Sequence, residues 1–249
     1  MRYCAIVEYD GTSYFGFQRQ HQGPTIQSEL EQAIAEVSGS EITILYAGRT
    51  DSGVHALGQV IAFDLDWSHT ADDLHRALNA KLAKTIAIKT LNAAREDFHP
   101  RYDARRRIYE YNVYNNPVRS PHHRLHSWHI KRALDIDAMN NASQLILGLH
   151  DFSTFGQPPQ GMNTVREVIN SQWRQIDDLI IFNIVANAFL KRMVRSLVGT
   201  LKAVGDGSWT VKEFEQAFLA KDRGRAGKTA PACGLFLMSV VYDEEKLGD

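Results

Sequence analysis

The chain has 249 residues, 44% of them hydrophobic and 23% charged, with a formal net charge of −1. This composition excludes a disordered chain, and no apolar run reaches the length of a membrane span. Two cysteines, Cys4 and Cys233, are too few for a disulfide framework and lack metal-ligand spacing.

Arg2–Tyr9 reads as a strand with an acid in it rather than a secretory signal, so a cytoplasmic address is expected. Pro24-Thr25 opens a helix with Ile26, Leu30, Ala33, Ile34 and Val37 on one stripe, and Gly39 closes it. Strands follow over Ile42–Ala47 and Gln59–Leu65. Thr70 and Asp73 form a capping-box pattern ahead of Leu74, Ala77, Leu78 and Leu82. Thr85–Leu91 completes the order β-α-β-β-α-β, the ferredoxin-like plan. The second half repeats the plan without repeating the sequence. Strands are expected over Arg107–Tyr114, His126–Ile130, Val165–Ile176 and Leu179–Ala186, with a hairpin at Asp177-Asp178. Helices are expected from Asp135 to about Leu147, from Phe189 to about Val204, and after Thr210. Leu235–Tyr242 closes as a strand. The fold expected is α+β: two ferredoxin-like halves, residues 1–103 and 104–249, forming a pseudo-symmetric, mainly antiparallel sheet flanked by helices, with a central cleft.

The near-neutral net charge argues against binding nucleic acid by global charge. The charge is uneven, however. Between Leu91 and Arg132 lie Arg95, Arg101, Arg105, Arg106, Arg107, Arg119, Arg124, Lys131 and Arg132, opposed only by Glu96, Asp97, Asp103 and Glu110. Tyr102, Tyr109, Tyr111, Tyr114 and Trp128 are interleaved with them. Guanidinium and aromatic planes in one window suit an RNA surface.

The run Ala47-Gly48-Arg49-Thr50-Asp51-Ser52-Gly53-Val54-His55-Ala56 lies between two expected strands. Its glycines permit positive φ or close backbone approach, and one carboxylate sits beside a guanidinium and two hydroxyls. Such a loop can aim a single acid at an anionic ligand. His55 has no Ser or Cys nucleophile pattern beside it and reads as a packing or RNA-contact residue.

The string GRTDSGVHA resembles the signature of the tRNA pseudouridine synthase I (TruA) family. So do Tyr9-Asp10-Gly11 with the following Tyr14, Gly16, Gln18 and Gln20, the run Asp97–Tyr102, Tyr109-Glu110-Tyr111, Asn187–Gly199 and Gly234–Leu237. Pro100 and the pair Lys191-Arg192 depart from the family pattern, where Ala and His are usual. The resemblance implies isomerisation of uridine to pseudouridine in the anticodon stem-loop (positions 38–40) of tRNA. It implies a homodimer and no cofactor or metal. It makes Asp51 the catalytic acid, Arg195 the cation that keeps that acid ionised, and Tyr109 the active-site tyrosine that stacks on the target uracil. Periodicity alone does not choose Tyr109 over Tyr111, because both face one side of the strand. Arg49 is expected to hold phosphate or fill the space a flipped uridine leaves.

Overall fold

The computed structural model describes residues 1–158 and 161–243. These group into two compact units: Met1–Arg106 with the C-terminal segment from Phe236, and Arg107–Leu235. The architecture is α+β, with mainly antiparallel strands flanked by five α-helices among the described residues.

The first unit runs β1 (Arg2–Tyr9), α1 (Ile26–Ser38), β2 (Leu45–Tyr46), β3 (His55–Asp64), α2 (Ala71–Lys81) and β4 (Ile86–Ala94), the expected order. β1 lies between β4 and β3, antiparallel to both. Alternation sends Tyr3, Ala5, Val7 and Tyr9 to one face of β1, all buried. Cys4, on the other face, joins a core of Ala47, Val60, Ala62 and Phe98. Desolvation there pushes its thiol pKa up to about 11, so it is an inert core residue. Both helices start where their caps predict. The Thr25 and Thr70 hydroxyls accept from the Ser28 and Asp73 amides, while the Ser28 and Asp73 side chains accept from the cap amides. Each such cap stabilises a helix by roughly 1 kcal/mol. Gly39 ends α1 at φ 72°, as a left-handed cap requires.

The second unit runs β5 (Arg106–Asn115), β6 (Trp128–Ile130), α3 (Ile136–Gln144), β7 (Gly148–Asp151), β8 (Val165–Ile176), β9 (Leu179–Ala186), α4 (Met193–Gly205) and α5 (Val211–Leu219). Its strand order is β5-β9-β8-β7, all antiparallel, with β6 parallel to β5. Trp173 stacks on Phe182 at 4.6 Å and donates its indole N–H to Ser143 Oγ of α3. Phe152, Phe155, Phe214 and Phe218 are buried together under α5.

Besides shifts of a few residues at element ends, such as β3 beginning at His55 rather than Gln59, four elements differ from expectation. The Ile42–Ala47 strand contracts to Leu45–Tyr46, because the Ile44 amide donates to the buried Glu31 carboxylate instead of to a ladder. β7 has no clear periodic signal; it exists by pairing with the first residues of β8. The helix expected from Phe189 begins at Met193. Lys191 bridges in antiparallel fashion to Gln157, and Arg192 takes a left-handed φ of 63°, which a helix cannot include. The closing strand, β10 (Leu235–Val241), counted with the second half in the sequence, runs parallel to β3, with Phe236 opposite His55. It shares one edge of β3 with β2, which pairs farther along at Ala62 and Ile61.

Candidate functional site

In the first unit, the loop between β2 and β3 carries Arg49 and Asp51. Its sequence dictates its shape. The Val54 amide donates to the Asp51 carbonyl at 3.1 Å, closing a four-residue turn with Gly53 at φ 77° in its third position. That is a type II turn, which demands glycine or asparagine there. Gly48, by contrast, has neither a positive φ nor a close neighbour at its Cβ position.

The residues on either side of Asp51 are both tied down. Thr50 is buried, and its hydroxyl shares a 2.8 Å hydrogen bond with the phenol of Tyr9 at the end of β1. The Ser52 hydroxyl donates to the Tyr14 carbonyl at 3.0 Å. The Thr50 carbonyl accepts from the Phe17 amide at 3.1 Å. On β3, fully buried Gln59 donates from Nε2 to the Gly48 carbonyl at 2.8 Å and, at 3.5 Å, to the Tyr9 phenol. The phenol thus sits between the Gln59 carboxamide and the Thr50 hydroxyl, and either hydroxyl of the 2.8 Å pair can be the donor. Both of these partners are buried, where a hydrogen bond is expensive to lose.

Two glycines of the segment after β1 let it lie directly against this loop. A Cβ on Gly11 would fall 2.0 Å from the Val54 carbonyl oxygen, and one on Gly16, at φ 91°, 2.8 Å from the Thr50 carbonyl oxygen. The close approach anticipated for glycines inside the signature is thus made largely by glycines outside it. The result is a partly exposed Asp51 on a loop braced from three sides. Arg49 is exposed two residues away, its Nε donating to the Tyr46 hydroxyl at 3.3 Å.

His55 is a packing residue. It is 1% exposed and stacks on Phe236 of β10 at 4.6 Å. Its Nδ1 accepts from the Gly11 amide at 3.1 Å. The same nitrogen lies 3.2 Å from the Asp10 carboxylate.

Tyr109 and Arg195 lie in the second unit. Tyr109, on β5 opposite Ile184 of β9, is partly exposed, and Phe189 meets its ring edge-on at 4.9 Å. Tyr111, two residues on, is fully buried. Its hydroxyl donates to the Pro231 carbonyl at 2.9 Å, and Gly234 packs on its ring. Burial drives the Tyr111 phenol pKa strongly up, with Cys233 reinforcing and Arg195 opposing the shift. Of the two tyrosines, Tyr111 is committed to the core and Tyr109 stays partly exposed.

Arg195 projects from the first turn of α4. Its Nε donates to the Ala230 carbonyl at 2.8 Å, while its own carbonyl accepts from the Ala230 amide at 3.0 Å. The segment holding Ala230 crosses α4 in backbone-to-backbone contact. A Cβ on Gly199 would lie 1.8 Å from the Lys228 carbonyl oxygen, and one on Gly227 3.0 Å from Thr200 Cα. Gly199 thus permits a close approach, and what approaches is the chain itself.

The basic window divides. Arg95 pairs with Asp97 and Arg105 with Asp243, so part of its charge is neutralised within the protein. Tyr102 is 72% exposed with the Arg101 guanidinium over its ring at 5.6 Å.

The two residues that brace the loop, Gln59 and Tyr9, carry little signal in the sequence. Gln59 sits inside an apolar strand, and a buried carboxamide in such a strand is the available signal. Tyr9 stands in a matching motif but reads as core.

A family model described as "tRNA pseudouridine synthase" matches residues 5–103 and 142–243. The chain is 40% identical over 245 residues to a tRNA pseudouridine synthase A of Caulobacter vibrioides, covering 98% of this chain and 99% of that one. It is 39% identical over 247 residues to tRNA pseudouridine synthase A 1 of Desulfotalea psychrophila, with 96% and 98% covered. It is 41% identical over 244 residues to tRNA pseudouridine synthase A of a Geobacillus species, with 97% and 98% covered. A match spanning both units and nearly the full length of each relative settles the assignment: the chain belongs to the tRNA pseudouridine synthase family.

Proposed function

We propose that this protein isomerises uridine to pseudouridine in the anticodon stem-loop of tRNA, with Asp51 as the essential acid. The observation that carries the reading is the family signature's lone carboxylate, held on a loop whose flanking residues are pinned by Tyr9, Gln59 and Tyr14. The reaction breaks the bond from uracil N1 to the ribose anomeric carbon, turns the base, and joins the same carbon to C5. C5 loses a proton and N1 gains one, so atoms and electrons balance without a redox partner. A carboxylate at the anomeric carbon can attack it or stabilise its positive charge, as acids do in glycoside chemistry.

Arg195 acts as the cation that keeps Asp51 ionised once RNA excludes water. Its bond to Ala230 supports that role by fixing the base of the guanidinium. Tyr109 supplies a ring for stacking on the flipped uracil and a hydroxyl for proton transfer at C5. Arg49 binds phosphate or occupies the vacated stack, at a cost of about a few kcal/mol for extrusion. Two chains cooperate on one tRNA as a homodimer in the cytoplasm.

Release of the C5 proton from tRNA carrying labelled uridine tests the reading. Wild-type protein releases label without added metal or nucleotide, and Asp51→Ala binds tRNA but releases none. Normal turnover by Asp51→Ala overturns the assignment of that residue.

A further inference from the structure

Two segments far apart in sequence meet at the start of α4. Arg223, in the short 3-10 turn Arg223–Arg225, reaches back to the first helical turn. Its guanidinium donates to Ser196 Oγ at 2.8 Å, to Thr229 Oγ1 at 3.2 Å and to the Thr154 carbonyl at 3.2 Å. Every one of these acceptors is neutral. The Ser196 amide in turn donates to the Arg192 carbonyl at 3.0 Å, so the Arg223 guanidinium lies one turn from Arg192. Arg192 and its neighbour Lys191 are both exposed.

Among the described residues no carboxylate pairs with Lys191, Arg192 or Arg223. The acid next in sequence, Asp222, accepts the Gly224 amide at 2.8 Å and caps its own turn. Only some cations elsewhere in the same unit are matched: Arg174 with Glu110, Lys202 with Asp206 and, more loosely, Lys221 with Asp151. Burial, and after it the charge of Arg192, disfavour the protonated form of Arg223. Holding guanidinium groups together without an internal counter-ion costs stability, and an anion from outside relieves that cost.

We propose that Lys191, Arg192 and Arg223 form a binding site for the phosphate backbone of the RNA substrate. The proposal rests on the reading of this protein as acting on tRNA, which names the polyanion available. Exposed Arg192 suits the task, because its planar fork can pair with two phosphate oxygens at once, while Arg223 adds fixed positive charge beside it. The fixed Arg223, tethered at three points, presents little conformational freedom to lose on binding, and the exposed Lys191 and Arg192 adapt to the strand. The site reads no bases; it sets register and adds salt-dependent affinity.

The test measures tRNA affinity against salt for Arg192→Glu and for the double variant Lys191→Gln/Arg192→Gln, both at exposed positions. Arg76→Gln is the control, since it removes an exposed arginine already paired with Asp73 on α2. Arg192→Glu is expected to weaken tRNA binding about tenfold at roughly 0.1 M salt and to flatten the log–log salt dependence by about one unit for each phosphate the variant no longer neutralises. The double variant does the same, and the control stays at the wild-type value. Cluster variants whose affinity and slope match the control overturn the proposal. Failure of the functional reading looks different: wild-type protein then releases no C5 proton from tRNA, whatever the salt slopes show.

Discussion

The loop that carries Asp51 and the helix that carries Arg195 are held in place by opposite means. Side chains brace the loop: a threonine and a serine hydroxyl, a buried phenol and a buried carboxamide secure the backbone on both sides of the acid. The helix is braced by missing side chains, because Gly199 and Gly227 let the Lys228–Ala230 segment lie on α4 itself. A hydrogen-bonded brace can be cut with little change in volume, whereas a backbone contact tolerates no added atom. Substitutions in the first region should therefore separate geometry from stability, and those in the second should couple them.

The largest effect tests function at the braced acid. Asp51→Ala should lower turnover by about 10³-fold or more while the melting temperature stays near wild type, as removal of a group acting in the transition state does. Next comes the backbone contact. Gly199→Ala places a Cβ 1.8 Å from a carbonyl oxygen, so overpacking of about 3 kcal/mol or more is expected, read as a lower unfolding midpoint in denaturant. A stable Gly199→Ala variant with unchanged turnover would erase the contrast between the two regions.

Tyr9→Phe removes only an oxygen from the loop brace. Losing one buried hydrogen bond shifts stability by about 1 kcal/mol, but a displaced Asp51 lowers kcat about tenfold with little change in KM. Thr50→Val should behave in the same way and Thr50→Ser should restore turnover; equal kcat for all three would show that the brace is packing alone. The smallest effect concerns pH. The Cys4 thiol pKa is raised from 9.0 to about 11 by burial, so the unfolded chain ionises first as pH rises. Stability is full below pH 9 and falls by about 1.4 kcal/mol per unit between 9 and 11. Urea unfolding of Cys4→Ala across that window should show a flatter alkaline slope.

Legibility differed between the same two regions. The βαββαβ order of the first unit follows from periodicity and from caps whose partners lie three residues away, Thr25 with Ser28 and Thr70 with Asp73. Local rules suffice where the stabilising contacts are local. The Phe189–Arg192 stretch carries helical periodicity yet stays outside the helix, because the bridge to Gln157 and the left-handed Arg192 outweigh propensity. The Asp51 signature was readable as a loop, but its supports were not. Tyr9 and Gln59 stand 41 and 11 residues from their partners, and no sequence period links such positions.

By itself the sequence determined which family this chain belongs to, the residue types offered for chemistry, the helix starts, and the order of elements in the first unit. The tertiary structure alone decided that β10 returns to β3, that Tyr111 is consumed by the core while Tyr109 stays partly exposed, and that Arg223 reaches the first turn of α4, next to Arg192, with no carboxylate partner among the described residues. The division has a physical cause. Caps, turns and alternation act between neighbours along the chain, whereas burial and electrostatic compensation depend on which distant groups the folded backbone brings within a few ångströms.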